Sequence, residues 1–533
     1  MSSNNQFDAV IVGAGFAGMY MLYKIRELGL SAIVFERGSD VGGTWYWNRY
    51  PGARCDVESM EYSYQFSEEL QQKWHWSERY SSQPEILSYA KHVAEHFDLR
   101  RDMRFETKVI AASFDSEADN WLVTLDSSET VRATFLVMAT GCLSAANTPD
   151  FPGLKNYKGD TYHTGDWPHD PVDFSGKSVA IIGTGSSAIQ SIPHIAEKAD
   201  HLMVFQRTPN FSVPAANIPL DQSLEKEIKA DYGNFRKNNK KMMIGFGSRY
   251  EIFADSALDA SPEELRERFE KHWEIGGLLF LRAFGDLGLS MEANGLAAEF
   301  IRGKIRNIVK DSETAELLCP DDVVGCKRLC ADTSYFETFN RENVDLVDVS
   351  RKPIDRITEK GIEIGNREYE ADVIIFATGF DAMTGALLNI DIVGRNGIAL
   401  REKWAEGPRT YLGLNTSGFP NLFTITGPGS PSVLSNMIQS IEQHVEFIAD
   451  AISHMKENGI KTIEAEVTAE DAWVNVVNGM ASMTLYPRCN SWYLGANVPG
   501  KPRVFMPYLG FPSYVEKCEE VVSRGYEGFN LSP

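Results

Sequence analysis

The stretch Ala9-Val10-Ile11-Val12-Gly13-Ala14-Gly15-Phe16-Ala17-Gly18 decides the fold. Its four leading apolar residues predict a buried parallel strand, and the glycines that follow open an apolar-periodic helix. In such a unit Gly13 allows the tight turn, Gly15 lets a pyrophosphate approach the backbone, and Gly18 lets the helix pack against the strand. We therefore predict a dinucleotide site with the phosphates at the helix N-terminus.

A second strand strengthens this prediction. Residues 31–35 are predicted to form a strand that leads into Glu36, which stands 23 positions after Gly13. An acidic residue at this place accepts hydrogen bonds from ribose hydroxyl groups. A bare G-x-G-x-x-G pattern is weak evidence, but strand, helix and acid together favour a nucleotide site over a purely structural glycine turn.

The same unit recurs after the apolar run 179–182, as Gly183-Thr184-Gly185-Ser186-Ser187-Ala188. Ala188 replaces the third glycine, where any small residue permits close helix packing. The position that held the acid is here Gln206, and Arg207 follows it. Because a carboxylate repels a phosphate and a guanidinium binds one, this copy is predicted to take NADPH and the first copy FAD. A solvated surface charge is the alternative interpretation of Arg207.

Two further apolar strands end in Ala-Thr-Gly, at Gly141 and Gly379, and each is expected to return to one dinucleotide sheet. Between them lies charged sequence of helical period, with a capping Ser261 and a first-turn Pro262. The predicted fold is α/β, with two Rossmann-like dinucleotide-binding domains for FAD and NADPH and an inserted helical lobe. The predicted segments are 1–145 (FAD domain, first part), 146–220 (NADPH domain, first part), 221–325 (helical insertion), 326–380 (NADPH domain, second part) and 381–533 (FAD domain, second part, with an active-site bulge and a mobile loop).

Composition excludes several classes of protein. A chain of 533 residues is too long for one core, and its net charge of -22 argues against a nucleic-acid partner. The start lacks a basic segment followed by an apolar core, so we expect a cytoplasmic protein without a membrane anchor, and no obligate protein partner is evident. The seven cysteines contain no C-x-x-C pair. Reduced thiols are the expected state, and a metal site at Cys326 and Cys330 is not expected.

The segment Gly42–Asp56 reads GGTWYWNRYPGARCD. At every position it matches the fingerprint G-G-x-W-x-x-x-x-[FY]-P-[GM]-x-x-x-D, and the chain resembles the type I Baeyer-Villiger monooxygenases, among them most closely the phenylacetone and cyclohexanone monooxygenases. A second fingerprint, F-x-G-x-x-x-H-x-x-x-W-[PD], matches residues 157–168 except for Tyr157, where Phe is usual. The segment 42–56 holds one cysteine, Cys55, which excludes the redox cysteine pair of a disulfide reductase.

The resemblance implies that an apolar cyclic or aryl ketone is oxidised by dioxygen to an ester or lactone. In this family NADPH reduces FAD, the reduced flavin adds dioxygen at its carbon-4a, and the flavin peroxide attacks the carbonyl carbon. Keeping that peroxide anionic requires a permanent cation. By resemblance the catalytic cation is Arg328, with Asp56 as its carboxylate partner; a solvated surface arginine is the alternative.

The resemblance also assigns the remaining site residues. Those for FAD, with the motif glycines included, are Gly13, Gly15, Gly18, Glu36, Thr44, Trp45, Asp56, Tyr62, Val109 and Met437. Those for NADPH are Arg54, Gly183, Thr184, Gly185, Ser186, Ser187, Ala188, Ile189, Gln190, Arg207, Thr208, Lys327, Arg328 and Trp492.

Three assignments carry alternatives or specific expectations. Trp492 is expected on a mobile loop over the nicotinamide, with a core aromatic as the alternative. Val433 and Leu434 would offer an apolar wall to the substrate. His163 lies between the two nucleotide motifs, where a hydrogen-bonding hinge and a structural histidine fit equally well.

Two rival functions stay open at this point. An NADPH-dependent heteroatom (N or S) monooxygenase would share both nucleotide motifs but not the tryptophan-containing fingerprint. A non-catalytic nucleotide-binding protein would be expected to have replaced Arg328 or Asp56, and both are present.

Overall fold

Two sheets rich in parallel strands organise the chain, whose computed structural model describes residues 5–533. The strands are β1 (Gln6–Val12), β2 (Ala32–Phe35), β3 (Met103–Arg104), β4 (Val109–Asp115), β5 (Asn120–Leu125), β6 (Thr130–Met138), β7 (Asp160–His163), β8 (Ser178–Ile182), β9 (His201–Gln206), β10 (Ser212–Pro214), β11 (Cys330–Asp332), β12 (Val344–Asp348), β13 (Arg356–Ile357), β14 (Gly361–Ile364), β15 (Arg367–Glu370), β16 (Val373–Phe376), β17 (Asp391–Val393), β18 (Leu422–Thr424), β19 (Thr462–Ala465) and β20 (Phe529–Ser532).

The α-helices cover the faces of these sheets and form a separate lobe. They are α1 (Phe16–Glu27), α2 (Thr44–Trp47), α3 (Glu68–Lys73), α4 (Gln83–His96), α5 (Ser186–Ala196), α6 (Gln222–Ala230), α7 (Tyr232–Lys240), α8 (Pro262–Ile275), α9 (Met291–Ile308), α10 (Ser312–Leu318), α11 (Tyr335–Thr338), α12 (Gly385–Leu388), α13 (Leu400–Lys403), α14 (Met437–Asn458), α15 (Val467–Ser482) and α16 (Phe511–Ser523).

The larger sheet contains eight strands in the order β17-β4-β5-β6-β1-β2-β3, with β18 also paired to β6. Strand β1 lies between β6 and β2 and runs parallel to both. Ala9 and Ile11 pack into the core that contains α1, whereas Val10 and Val12 pack into a second core on the opposite face. A strand buried on both faces must be apolar throughout, which explains the continuous run at residues 9–12.

The smaller sheet contains five parallel strands in the order β12-β9-β8-β16-β7. Strand β8 lies between β9 and β16, so it holds the same central position as β1 in the larger sheet. Each glycine-rich turn therefore follows the strand at which the direction of strand order reverses. Nucleotides bind at this place in open α/β sheets, outside the carboxyl ends of the strands.

The two Ala-Thr-Gly strands belong to different sheets, as predicted. Strand β6 pairs with β1 in the larger sheet, and β16 pairs with β8 in the smaller one. The strands that follow, β17 and β18, are again part of the larger sheet. The exact boundaries of the five predicted segments stay predictions.

The predicted helical insertion contains α6 to α10. It begins after β10 and ends before β11, and these two strands pair in parallel as a separate two-stranded sheet, so its entry and exit lie side by side. The predicted start of α8 is confirmed: the Ser261 side chain accepts from the Glu264 amide, Glu264 binds back to the Ser261 amide, and Pro262 is the first helical residue. Among residues 5–533, no helix combines the length and the apolar character that a membrane crossing requires.

Candidate active site

A cavity of about 1680 Å³ connects the carboxyl edges of the two sheets. It extends from Gly13, Gly15 and Glu36 to Gly183 and Thr184, so both glycine-rich turns open into one space. Pockets for a single small molecule usually have volumes of about 300–1,000 Å³. This volume therefore fits two dinucleotides better than one.

The first glycine turn brings its backbone close to neighbouring chain segments. Gly13 has a φ of 104°, and a Cβ atom there would lie 2.6 Å from the Ala139 carbonyl oxygen. A Cβ at Gly18 would lie 1.8 Å from the Gly13 carbonyl oxygen, so Gly18 permits helix α1 to pack on the turn. Gly18 does not line the cavity, and its role is this packing rather than contact with a ligand.

Glu36 closes the turn from the end of β2. Its buried carboxylate accepts hydrogen bonds from the Ala14 amide at 2.8 Å and from the Gly38 amide at 2.7 Å. Because a carboxylate has about four acceptor positions, it can also accept from a ribose hydroxyl. The residue thus fits the predicted nucleotide role while fixing the loop around it.

The other residues assigned to FAD border the same half of the cavity. The Trp45 indole donates to the Tyr62 hydroxyl at 3.2 Å, which fixes the fingerprint segment against the residues that follow it. Both line the cavity, together with Thr44, Asp56, Val109 and Met437.

The second glycine turn repeats the geometry of the first. Gly183 has a φ of 113°, and a Cβ atom there would lie 2.5 Å from the Ala377 carbonyl oxygen. The Thr184 hydroxyl donates to the Thr208 carbonyl at 2.8 Å, which fixes the segment after β9 against the turn. Arg207 has an exposed side chain that lines the cavity, as expected for a residue that binds a phosphate there.

The residues from Gly185 into helix α5 divide between cavity and core. Gly185, Ser186, Ser187 and Gln190 line the cavity, whereas Ala188 and Ile189 are fully buried in the core on the sheet. Gln190 also connects the two halves of the site: it accepts from the Tyr50 hydroxyl at 2.8 Å and donates to the Arg54 carbonyl at 3.1 Å. The Arg54 guanidinium lies at the cavity and is paired with Glu78.

Arg328 and Asp56 form a bidentate ion pair at the cavity wall. Nε and Nη2 of Arg328 donate to the two Asp56 carboxylate oxygens at 2.6 and 2.7 Å, and Nη1 donates to the Val433 carbonyl at 2.7 Å. Burial opposes the charge, but the neighbouring Asp56 carboxylate outweighs it and raises the pKa of Arg328 above its ordinary value. The guanidinium is therefore a fixed cation facing the cavity.

Lys327 and Trp492 also line the cavity. The Lys327 ammonium lies 3.0 Å from the Asp322 carboxylate, and Trp492 begins a short turn that ends at Leu494. The centres of the Tyr493 and Trp492 rings are 4.1 Å apart. Burial raises the pKa of Tyr493, and the nearby Arg328 charge opposes this rise only in part. Sequence analysis did not identify Tyr493, because the motif around it gives no signal for a contact with Arg328.

The predicted substrate wall is placed only in part. Val433 is the buried middle residue of the short turn Ser432–Leu434, and it lines the cavity beside Arg328. Leu434 packs against the core of the larger sheet instead and does not line the cavity. The cavity residues also include Arg37, which sequence analysis missed and whose guanidinium lies 4.1 Å from the centre of the Trp47 ring.

His163 lies at the end of β7, outside the cavity lining. Its Nδ1 accepts from the Gly165 amide at 2.9 Å, and its Nε2 lies 3.3 Å from the Thr378 hydroxyl, next to the end of β16. Burial lowers its pKa, so the ring is held neutral. His163 thus lies where the linker meets the edge strand of the smaller sheet, and neither of these two hydrogen bonds involves a predicted reacting group.

The prediction that all seven cysteines are reduced is wrong for two of them. Cys326 and Cys489 form a disulfide, with their Cα atoms 6.1 Å apart. Their sulfurs and the Asp322 carboxylate lie within 4.8 Å of one another. A disulfide leaves neither sulfur as the thiolate that a metal ion binds, so this group does not form a metal site in the observed state. Cys330, which the sequence had grouped with Cys326, is a free buried thiol.

Comparison with known proteins agrees with this geometry. Residues 10–258 match the family model of the pyridine nucleotide-disulphide oxidoreductases. A Baeyer-Villiger monooxygenase of Pseudooceanicola batsensis is 46% identical over 525 residues, which cover 98% of this chain and 95% of the relative.

Two solved structures superpose over almost the whole chain. A steroid monooxygenase bound to NADP has a TM-score of 0.94 and 51% identity, with 99% of both chains covered. The enzyme OTEMO in complex with FAD and NADP has a TM-score of 0.95 and 40% identity, again with 99% of both chains covered. The predicted fold class and the predicted cofactors are thereby confirmed. Two fingerprints, two nucleotide turns on one cavity and similarity over the full length establish that the chain belongs to the Baeyer-Villiger monooxygenases, flavoenzymes that use FAD and NADPH to convert ketones into esters or lactones.

Proposed function

We propose that Arg328 is the catalytic cation of a dioxygen-dependent oxidation whose substrates are apolar cyclic or aryl ketones. The observation that supports this assignment is the pairing of Arg328 with Asp56 at the cavity wall. Three of the five N–H groups of Arg328 have partners among residues 5–533, and they fix the plane of the guanidinium. The remaining N–H groups face the Tyr493 hydroxyl and the cavity, where they can donate to an oxygen atom.

Bound FAD supplies the redox chemistry here, since it accepts electrons from NADPH and delivers them to dioxygen. Arg328 contributes a permanent positive charge, because a guanidinium group is not deprotonated under conditions in which the protein folds. It can therefore stabilise negative charge that develops beside the ketone without protonating it. Asp56 holds the guanidinium in place through two parallel hydrogen bonds, a geometry that a lysine cannot reproduce.

The proposal also assigns residues to the binding of NADPH. Arg207 lies at the cavity beyond β9, where its guanidinium can bind a ribose 2'-phosphate. Thr184 and Thr208 are joined by a hydrogen bond beside it and complete this corner of the site. Trp492 would cover the nicotinamide, and His163 would couple the linker to the smaller sheet.

The substrate class follows from the surroundings of Arg328. Val433 presents an apolar side chain next to the guanidinium, and Met437 and Ile441 continue the apolar lining of the cavity. A fixed cation beside apolar side chains favours a ketone with an apolar skeleton. The similarity to a steroid monooxygenase supports the inclusion of bulky polycyclic ketones. A cytoplasmic location stays a prediction from the sequence.

A substrate panel tests this proposal. The FAD-loaded enzyme would receive NADPH and, in turn, cyclohexanone, an aryl ketone, a steroid ketone, a carboxylate-bearing ketone and a tertiary amine, with products identified by chromatography and mass spectrometry. We expect esters or lactones from the apolar ketones and little turnover of the charged one. Preference for the charged ketone would contradict the proposed substrate class, and N-oxide formation from an amine without any ester would favour the heteroatom monooxygenase.

A further inference from the structure

A disulfide joins two walls of the cofactor cavity that lie far apart in the sequence. Cys326 and Cys489 are 163 positions apart, and their Cα separation of 6.1 Å is within the usual range for a disulfide. Cys326 precedes Lys327 and Arg328, and Cys489 precedes Asn490 and Trp492. These four neighbours all line the cavity. The bond therefore ties the segment that contains the arginine to the segment that contains the tryptophan.

The segment around Cys489, residues 486–494, consists of two short turns, Tyr486–Arg488 and Trp492–Leu494. Its backbone bonds run mostly within the segment, such as those from Cys489 to Tyr486 and from Leu494 to Ser491. The side chains of Cys489, Tyr493 and Leu494 are buried, so the segment opens only when their packing contacts break. A covalent bond at Cys489 would add to the free-energy cost of that opening.

We propose that Cys326 and Cys489 are a peroxide-sensitive modification site, a thiol–disulfide switch that fixes the segment 486–494 against the Arg328 turn when it is oxidised. In a reducing compartment a disulfide is usually transient rather than structural, which is the behaviour of a switch. Both cysteines are buried and neither lines the cavity itself, so the oxidant reaches them when the segment opens.

Hydrogen peroxide is an oxidant that balances the reaction. The thiolate of one cysteine attacks a peroxide oxygen, the O–O bond breaks, and the departing hydroxide takes up a proton to become water. The resulting sulfenic acid is attacked by the second thiol, its S–O bond breaks, and a second water leaves. Overall, two thiols lose two electrons and two protons, and one hydrogen peroxide becomes two waters. A dithiol reductant reverses the change by thiol–disulfide exchange.

The consequence for nucleotide exchange rests on the proposed position of Trp492 over the nicotinamide. If the segment must open for NADP+ to leave, the oxidised protein should release it slowly. The existence of the switch does not depend on that position, because bond formation and segment mobility can be measured without substrate. Failure of the proposed function and failure of this inference are therefore distinguishable.

Peptide mapping gives the first test. Fully reduced holoenzyme would be exposed to hydrogen peroxide, alkylated and digested without reductant, and the peptides identified by mass spectrometry. We expect a cross-linked Cys326–Cys489 peptide that dithiothreitol removes, while Cys518, a buried free cysteine on α16, stays alkylatable as a thiol after unfolding. Absence of the cross-link, or equal oxidation of Cys518, would overturn the proposal.

Segment mobility gives the second test. Hydrogen–deuterium exchange of peptides from residues 485–503 would be compared in oxidised and reduced protein, together with the rate of NADP+ release. Oxidation should slow both by at least about threefold. C489S should behave like the reduced protein under either treatment, C326S should behave in the same way, and C518S should respond like wild type. A cross-link that leaves exchange and NADP+ release unchanged would show that the disulfide is no switch.

Discussion

Asp56 and Arg328 are 272 positions apart in the sequence, and their side chains are joined by hydrogen bonds of 2.6 and 2.7 Å. Asp56 ends the tryptophan-containing fingerprint, and Arg328 lies two residues before strand β11. A single contact thus connects the FAD half of the cavity to the segment that returns from the helical insertion. Its geometry requires both a planar guanidinium and a carboxylate in one orientation.

Replacement of Arg328 should separate NADPH consumption from ester formation. R328A removes the cation beside the ketone but leaves the two glycine turns intact, so NADPH oxidation should continue while ester formation falls by about 10²–10³-fold. The measurement is the ratio of ester to NADPH consumed, with hydrogen peroxide released as the remainder.

The matched control for this change is R328K, which retains a positive charge but loses the two parallel bonds to Asp56. We expect R328K to make ester at a rate between those of wild type and R328A. If R328A makes ester at the wild-type ratio, Arg328 is not the catalytic cation.

Replacement of Arg207 should weaken NADPH binding selectively. Arg207 lines the cavity one residue after Gln206, which holds the position that Glu36 has in the first nucleotide unit. A hydrogen-bonded contact to a charged group contributes about 1.5–3 kcal/mol, so R207A should raise the KM for NADPH by roughly ten- to a hundredfold. NADH lacks the 2'-phosphate, and its KM should change little. R207K is the control with retained charge, and an equal loss with both nucleotides would mean that Arg207 does not read the phosphate.

Replacement of Gly13 should abolish FAD binding. A Cβ atom at Gly13 would lie 2.6 Å from the Ala139 carbonyl oxygen, and its φ of 104° is unfavourable for any other residue. G13A must therefore displace the turn that faces the pyrophosphate. The ratio of flavin to protein absorbance in purified enzyme should fall to near zero, with far-ultraviolet circular dichroism showing whether the fold is retained. G303A is the control, because Gly303 lies inside α9 with no atom within 4 Å of the added Cβ. A G13A protein with full flavin content would refute the role assigned to Gly13.

The local parts of this site could be predicted from the sequence, because their residues are neighbours along the chain. Gly13 and Glu36 belong to one strand-turn-helix-strand unit, and the periods of strand and helix fix their relative positions. The same holds for Gly183 and Arg207. At this level, short-range geometry and the sign of one side-chain charge favour FAD for the first unit and NADPH for the second.

The long-range parts could not be predicted in this way. The pairing of Arg328 with Asp56 came from resemblance to a family, since no local pattern connects residues so distant. The disulfide of Cys326 with Cys489 was missed, because the spacing of seven cysteines along the chain does not reveal which two are neighbours in the folded protein. Leu434 was assigned to the cavity with Val433, but neighbouring residues in a tight turn point in different directions, and only Val433 lines it.

A buried carboxyl group on α14 should make stability depend on pH. Glu442 is buried, and one of its oxygens accepts from the Gln65 amide at 2.6 Å and the Phe66 amide at 3.1 Å. Burial raises its pKa from 4.5 to about 7, against the opposing effect of the Gln65 hydrogen bond. The folded protein therefore holds a proton that the unfolded chain has already lost above pH 4.5.

The sign of the effect follows from this difference in proton binding. The stabilising contribution of the protonated Glu442 is complete below about pH 4.5 and is lost as the pH rises towards 7, a total of about 3 kcal/mol. E442Q has a neutral amide that can accept the same two hydrogen bonds, so its stability should not change with pH through this group. The thermal midpoint of wild type relative to E442Q should thus fall between pH 5 and pH 8. E457Q, at the exposed end of the same helix, is the control and should follow wild type at every pH. A constant difference between wild type and E442Q across this range would show that Glu442 is ionised in the folded protein throughout.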